Sequence, residues 1–86
     1  LMNQEINRIH WKCRRGMREI DLLLREFSQK KLDSMKHEDI QIFDAILDYD
    51  DQKLFDYIFK GETIGIETHE IFINTHLKNF THQGNF

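Results

Sequence analysis

Proline is missing from this chain altogether, glycine occurs four times in 86 residues, and cysteine once. That leaves little material for long loops or for the turn-rich connections of a β-rich fold. A lone cysteine excludes an internal disulfide and suits a reducing compartment. No apolar run reaches the roughly 20 residues needed to cross a bilayer, and the first residues contain no apolar stretch of the secretory-signal kind. GxGxxG, P-loop and Ser/His/Asp arrangements are also missing. His37-Glu38 and His69-Glu70 each begin like HExxH, but Gln41 and Ile73 stand where the second histidine is required. His69 and His76 are seven apart and have no third clustered ligand, so they read as solvated helix histidines rather than a zinc site.

What is present is concentrated in one place. His10-Trp11-Lys12-Cys13-Arg14-Arg15-Gly16-Met17-Arg18-Glu19 brings cations, the single tryptophan and a glycine together. Net charge is −3, yet residues 8–18 hold Arg8, Lys12, Arg14, Arg15 and Arg18 and no acid. The remainder carries seven basic against fifteen acidic residues, and 37–57 holds seven acids against Lys53 alone. This polarity predicts a basic corner that steers an acidic partner surface and a remainder that repels nucleic acid.

Hydrophobic spacing predicts five helices on one core, an all-α bundle. The first covers residues 3–15, with Met2, Ile6, Ile9 and Cys13 on its apolar face and Arg8, Trp11, Lys12 and Arg15 opposite. Trp11 among cations has two readings: a side chain packed on a neighbouring helix, or an interface hot spot. Gly16 ends this helix, as a left-handed C-terminal residue or as the N-cap of the next, with Glu19 as the capping carboxylate. Cys13, on the apolar face, is expected to be a buried structural thiol.

The second helix covers 17–31, with Met17, Ile20, Leu23, Leu24 and Phe27 inward and Asp21, Arg25 and Ser28 outward. Asp21 and Arg25 form an i, i+4 pair. A third helix, capped by Asp33 or Ser34, buries Ile40, Phe43, Ile46 and Leu47. Asp50 or Asp51 caps a fourth, which carries Leu54, Phe55, Ile58 and Phe59 and is closed by Gly61. The fifth starts near Ile66, with Ile66, Ile73, Leu77 and Phe80 on one stripe and Phe72 beside it. Residues 81–86 are read as a frayed tail. One domain spans 1–86.

Ile9 to Asp21, with RGxxE at Arg15, Gly16 and Glu19, closely resembles the signature of the succinate dehydrogenase assembly factors, the SdhE/YgfY flavinator family. Asp50-Asp51-Gln52-Lys53-Leu54-Phe55-Asp56-Tyr57 is similar to that family's acidic pair and following Leu-Phe and aromatic segment. The resemblance runs from about Ile6 to Gly61. Gln52 replaces a common proline, Lys36 a common capping serine, and the last helix matches poorly.

The resemblance implies a five-helix protein that is not an enzyme. It would bind the flavoprotein subunit of succinate dehydrogenase, and often of fumarate reductase, and promote covalent attachment of FAD to it. The expected partner-binding residues are Arg8, Trp11, Arg15, Gly16, Met17, Glu19 and Asp50. Arg15 would stand exposed and touch the partner, and Gly16 would permit close approach. No catalytic, metal or cofactor-binding residue and no stably bound cofactor is expected, and FAD belongs to the partner. A bacterial, cytoplasmic monomer without nucleic-acid or membrane partners completes the expectation. The alternative is an antitoxin-type regulator whose acidic 38–56 face binds a small toxin.

Overall fold

The computed structural model describes the backbone of residues 2–82 and the side chains of residues 4–81. Five helical rods carry the chain, and no strand occurs among the described residues. Helix α1 (Met2–Lys12) buries Ile9 and half-buries Ile6, and Cys13 just after it is buried too; the side chain of Met2 lies outside the described residues. Helix α2 (Arg18–Lys31) buries Ile20, Leu23, Leu24 and Phe27 and half-buries Met17 at its N-cap. Ser28, expected on the wet side, is buried as well, because its hydroxyl donates to Arg25 O and the small side chain fits against Cys13.

A 3₁₀ turn (Leu32–Ser34) absorbs the two residues expected to cap the third helix. Lys36 is the N-cap of α3 (His37–Ile46) instead, and it has no side chain to offer the free N–H groups. Helix α3 buries Ile40, Phe43 and Ile46, and Leu47 follows into the core. Asp50 caps α4 (Asp51–Lys60) by accepting from Lys53 N at 2.8 Å. Gly61 closes α4 at φ 74°, with Glu62 N–H reaching back to Asp56 O at 3.1 Å.

The buried positions of α4 are Leu54 and Tyr57; Phe55 and Ile58 are half-buried and Phe59 is exposed. The expected Leu54–Phe55–Ile58–Phe59 stripe is therefore rotated. Tyr57 enters because its hydroxyl finds Asn74 Oδ1 at 2.9 Å, which makes burial of a polar tip tolerable.

Helix α5 (Glu67–Phe72) continues through a π-helical stretch (Ile73–Lys78) into a last α-turn (Asn79–His82). Phe72, Ile73, Leu77 and Phe80 are buried; Ile66 is an exposed N-cap rather than a core residue. Thr81 and His82 still belong to the helical turn, and 83–86, the rest of the expected tail, lie outside the described residues.

The core centres on Phe27. Its ring meets Phe43, Phe80 and Phe72 edge-on at 5.3, 5.7 and 6.5 Å, while Phe43 and Phe72 stack at 5.8 Å. Edge and offset geometries suit the aromatic quadrupole. His76 packs against Phe72 and Phe27 and is half-buried, so it is not a solvated histidine. This cluster ties α2, α3 and α5 together and leaves the α1–α2 corner at the other end of α2.

Candidate partner-binding corner

Helix α1 ends at Lys12, three residues earlier than its apolar spacing suggests. The reason is visible in where the next backbone N–H groups go. Cys13 and Arg14 still donate to α1 carbonyls. Arg15 N–H donates to Asp21 Oδ1 at 2.8 Å, and Gly16 N–H and Met17 N–H both donate to Asp51 Oδ2 at 3.1 and 3.0 Å. Three successive amides thus leave the helical ladder for two carboxylates, one from α2 and one from α4. Buried backbone donors need partners, and these acids replace the missing i−4 carbonyls.

Gly16 is neither the left-handed residue nor the N-cap that the sequence suggests. Positive φ occurs only at Gly61 and Gly65 among the described residues, and the N-cap of α2 is Met17. A Cβ built on Gly16 would meet only Asp51 Oδ2, at 3.9 Å. The fold therefore has room for a side chain there. Glu19 does not cap α2 either: it is exposed and has no side-chain partner among the described residues. Asp51 instead receives the Gly16 and Met17 N–H groups just ahead of the helix.

Arg15 is the largest correction. Its side chain is 11% exposed, and the guanidinium is spent internally. Nε donates to Asp51 Oδ1 at 2.7 Å, Nη1 to Lys12 O at 3.0 Å and Leu47 O at 2.8 Å, and Nη2 to Tyr49 O. Lys12 O and Leu47 O lie where α1 and α3 end. One guanidinium therefore satisfies the orphan carbonyls of two helix C-termini, where a cation is favoured. An arginine held this way is part of the frame, not an exposed contact.

The neighbouring cations are also paired. Arg8 forms a two-pronged bond to Asp44 at 3.0 and 2.9 Å. Lys12 reaches Asp44 Oδ1 at 2.7 Å, Asp44 O at 3.0 Å and Asp48 at 2.8 Å. Arg8, Lys12 and Arg15 together zip α1 and the corner onto acids of the α3–α4 region. The expected free basic pole is largely neutralised by the acidic run it was contrasted with.

Titration follows from the same contacts. The bonds from Arg8 hold the Asp44 carboxyl below its ordinary value, helped by Lys12 and opposed by partial burial. For Asp51, burial raises the pKa, but the bonds from Arg15 and from Met17 and Gly16 N–H outweigh it and the carboxyl lies low. Cys13 goes the other way: burial pushes the thiol up to about 11, so it is an inert core group.

Outside this frame the corner presents a different set. Trp11 is 67% exposed, which excludes its packing on a neighbouring helix, and the Arg14 guanidinium lies 4.7 Å from its ring centre. Gly16, Arg18 and Glu19 are exposed, and Met17 is half-buried. Asp50, also exposed, is engaged as the α4 cap. The structure thus brings Trp11, Gly16, Met17 and Glu19 onto one short stretch, pairs Arg8 beside it, and turns Arg15 inward.

Sequence reasoning missed Asp21, Asp44, Asp48 and Asp51 as partners of this stretch. The excess of acids over 37–57 was the available signal; which acid meets which base was not.

Elsewhere, Tyr49 Oη lies 2.6 Å from His69 Nδ1, so His69 is a partnered, half-buried residue rather than a solvated one. No group of three or more His, Cys, Asp or Glu side chains suited to a metal occurs among the described residues, and no helix among them is long and apolar enough to cross a membrane.

The comparisons with known proteins agree with one another. The family model described as "Flavinator of succinate dehydrogenase" matches residues 7–80, which carries the likeness past Gly61 and through the last helix. Curated relatives include the FAD assembly factor SdhE of Legionella pneumophila (strain Paris), 38% identical over 60 residues covering 70% of this chain and 76% of the relative. The protein of the same name from Coxiella burnetii is 41% identical over 59 residues, covering 66% and 72%. That from Yersinia pseudotuberculosis is 38% identical over 65 residues, covering 74% of each. No solved structure gives a significant match.

Proposed function

The chain belongs to the family of succinate dehydrogenase flavinators, and from that premise we propose that it is a non-catalytic assembly factor. It binds the flavoprotein subunit of succinate dehydrogenase, and the related fumarate reductase subunit, and promotes covalent attachment of FAD. The observation that carries this reading is the exposed Trp11–Arg14 pair beside a corner whose backbone is pinned by two carboxylates. An amphipathic aromatic standing on a rigid base costs little entropy on binding and buries a large area when covered, the usual make-up of an interface hot spot.

The partner-facing residues are Trp11, Gly16, Met17 and Glu19, with Arg8 and Asp50 at the rim. Gly16 has no internal steric reason to be glycine, and a bare backbone lets a second protein approach closely. Arg15 acts from behind this surface by fixing it. Attachment places negative charge on the flavin ring system. An assembly factor serves such a step by holding the partner where its histidine and flavin are aligned and its dipoles preorganised. No cofactor is held by this chain itself, and it works as a cytoplasmic monomer. The antitoxin alternative relied on a free acidic face, and Asp44, Asp48 and Asp51 are already engaged with cations of the same chain.

The test is flavin fluorescence of the denatured flavoprotein subunit, separated on a gel, after maturation with and without this protein. Covalent flavin should rise with the wild-type chain and fall back with Trp11→Ala. Equal fluorescence with and without the chain, under conditions where the two proteins bind, would refute the assembly role.

A further inference from the structure

We propose that Asp51, in the first turn of α4, is the positioning residue of the partner-binding corner, and that the backbone shape it imposes at Arg15–Met17 is what the flavoprotein subunit recognises; this rests on the function proposed above. Asp51 is not needed to cap its own helix, since Asp50 accepts from Lys53 N–H. Its carboxylate points away from α4 and into the corner. One oxygen meets Arg15 Nε at 2.7 Å, and the other accepts both Gly16 N–H and Met17 N–H at 3.1 and 3.0 Å. A single side chain, 34 to 36 positions further along the chain, thus fixes an arginine and two amides.

The consequence reaches the exposed residues. Arg15 to Met17 sit between α1 and α2 and make no helical hydrogen bonds through their own N–H groups. Without Asp51 the Arg15 N–H would keep its bond to Asp21 and the guanidinium its three carbonyls, but Gly16 N–H and Met17 N–H would lose their acceptor. Trp11 and Arg14 lie on one side of it, and Arg18 and Glu19 on the other. The carboxylate that joins the link to α4 therefore fixes the course of the backbone at Gly16 and Met17, between the two halves of the surface. Asparagine cannot replace it. An amide has one acceptor oxygen, and its NH₂ group would face either the Arg15 Nε–H or the two backbone N–H groups, donor against donor. A glutamate keeps both oxygens and the charge but sets them about one bond further out.

The experiment uses the full chain and the flavoprotein subunit, with three variants: Asp51→Asn, Asp51→Glu and, as a control for general destabilisation, Ile46→Val in the core. Melting temperature, amide exchange at Gly16 and Met17, and affinity for the subunit are measured for each. Asp51→Asn should weaken affinity at least tenfold and speed exchange of the two amides at least tenfold. Asp51→Glu should recover part of both. Ile46→Val should lower the melting temperature and leave affinity at the wild-type value.

Asp51→Asn binding as tightly as wild type, or losing affinity without faster exchange, overturns the inference. So does Ile46→Val losing affinity in proportion to its melting temperature. If Asp51→Asn does not fold, Asp51→Glu against Ile46→Val decides by the same criteria. Wild-type chain that fails to bind the subunit overturns the proposed function, whereas wild-type binding that Asp51→Asn leaves unchanged overturns this inference alone.

Discussion

The Arg15 corner and the Phe27 cluster are two places where distant parts of this chain meet, and different forces hold them. At the cluster, four phenylalanines from α2, α3, α5 and the last α-turn pack edge-on and stacked, and their rings carry no polar atom to satisfy. At the corner, one guanidinium, three amides, two carboxylates and three carbonyls satisfy each other through directed hydrogen bonds. Apolar packing is non-directional and tolerates adjustment, whereas hydrogen bonds specify angles. A scaffold can be built of the first. A surface that must present a fixed shape while open to water is better built of the second.

That contrast can be broken at its strongest point first. Phe27→Ala removes the ring at the centre of the cluster and should cost about 3–5 kcal/mol. For a domain this small that is much of the total stability, so thermal melting followed by circular dichroism should show a domain largely unfolded at moderate temperature. A melting temperature within a few degrees of wild type would show that the cluster is not the scaffold.

Arg15→Ala comes next. It strands the Asp51 carboxylate and three carbonyls in a largely buried place, a loss of roughly 2–4 kcal/mol. The melting temperature should drop by about 10 °C or more, and Arg15→Lys should not rescue it, since an ammonium cannot reproduce the planar fork. An unchanged melting temperature for Arg15→Ala would mean that the guanidinium does not hold the corner.

Acid separates the two regions without mutation. Asp44 and Asp51 have folded-state pKa values below their ordinary ones. Their contribution is therefore fully present above the unfolded value, near 4, and is lost as pH falls through the folded values. The loss is readable as a lower urea midpoint at pH 3 than at pH 7. The milder core variant Phe27→Leu should keep the wild-type pH slope, and Arg15→Ala should flatten it. Equal slopes in both would dissolve the distinction.

The smallest effects on folding belong to the exposed residues. Trp11→Ala should change stability by no more than about 0.5 kcal/mol while weakening partner binding by about tenfold or more. Gly16→Ala should be equally quiet in thermal melting, because its φ is not left-handed and the new methyl has space. Any loss should appear only in binding. A marked drop in melting temperature for either would place that residue in the frame instead of on the surface.

Spacing along the chain was enough to determine five helices, the inward apolar residues of α2 and α3, a cap for α4 at Asp50 or Asp51 and the Gly61 stop. All of these rest on interactions within about four residues, where periodicity and capping chemistry operate. It also singled out the candidate partner-binding stretch, through the cluster of cations around Trp11 and the family signature. What the tertiary structure alone decided is which of those residues face out. Arg15 and Arg14 are adjacent and chemically identical, yet one is consumed by Asp51, Leu47 and Tyr49 while the other lies open over Trp11. Their difference depends on groups 32 to 36 residues away, brought within 3 Å by the packing of α3 and α4. No local pattern encodes a distance of that kind; the folded chain does, because a buried guanidinium stays only where each of its donors finds an acceptor.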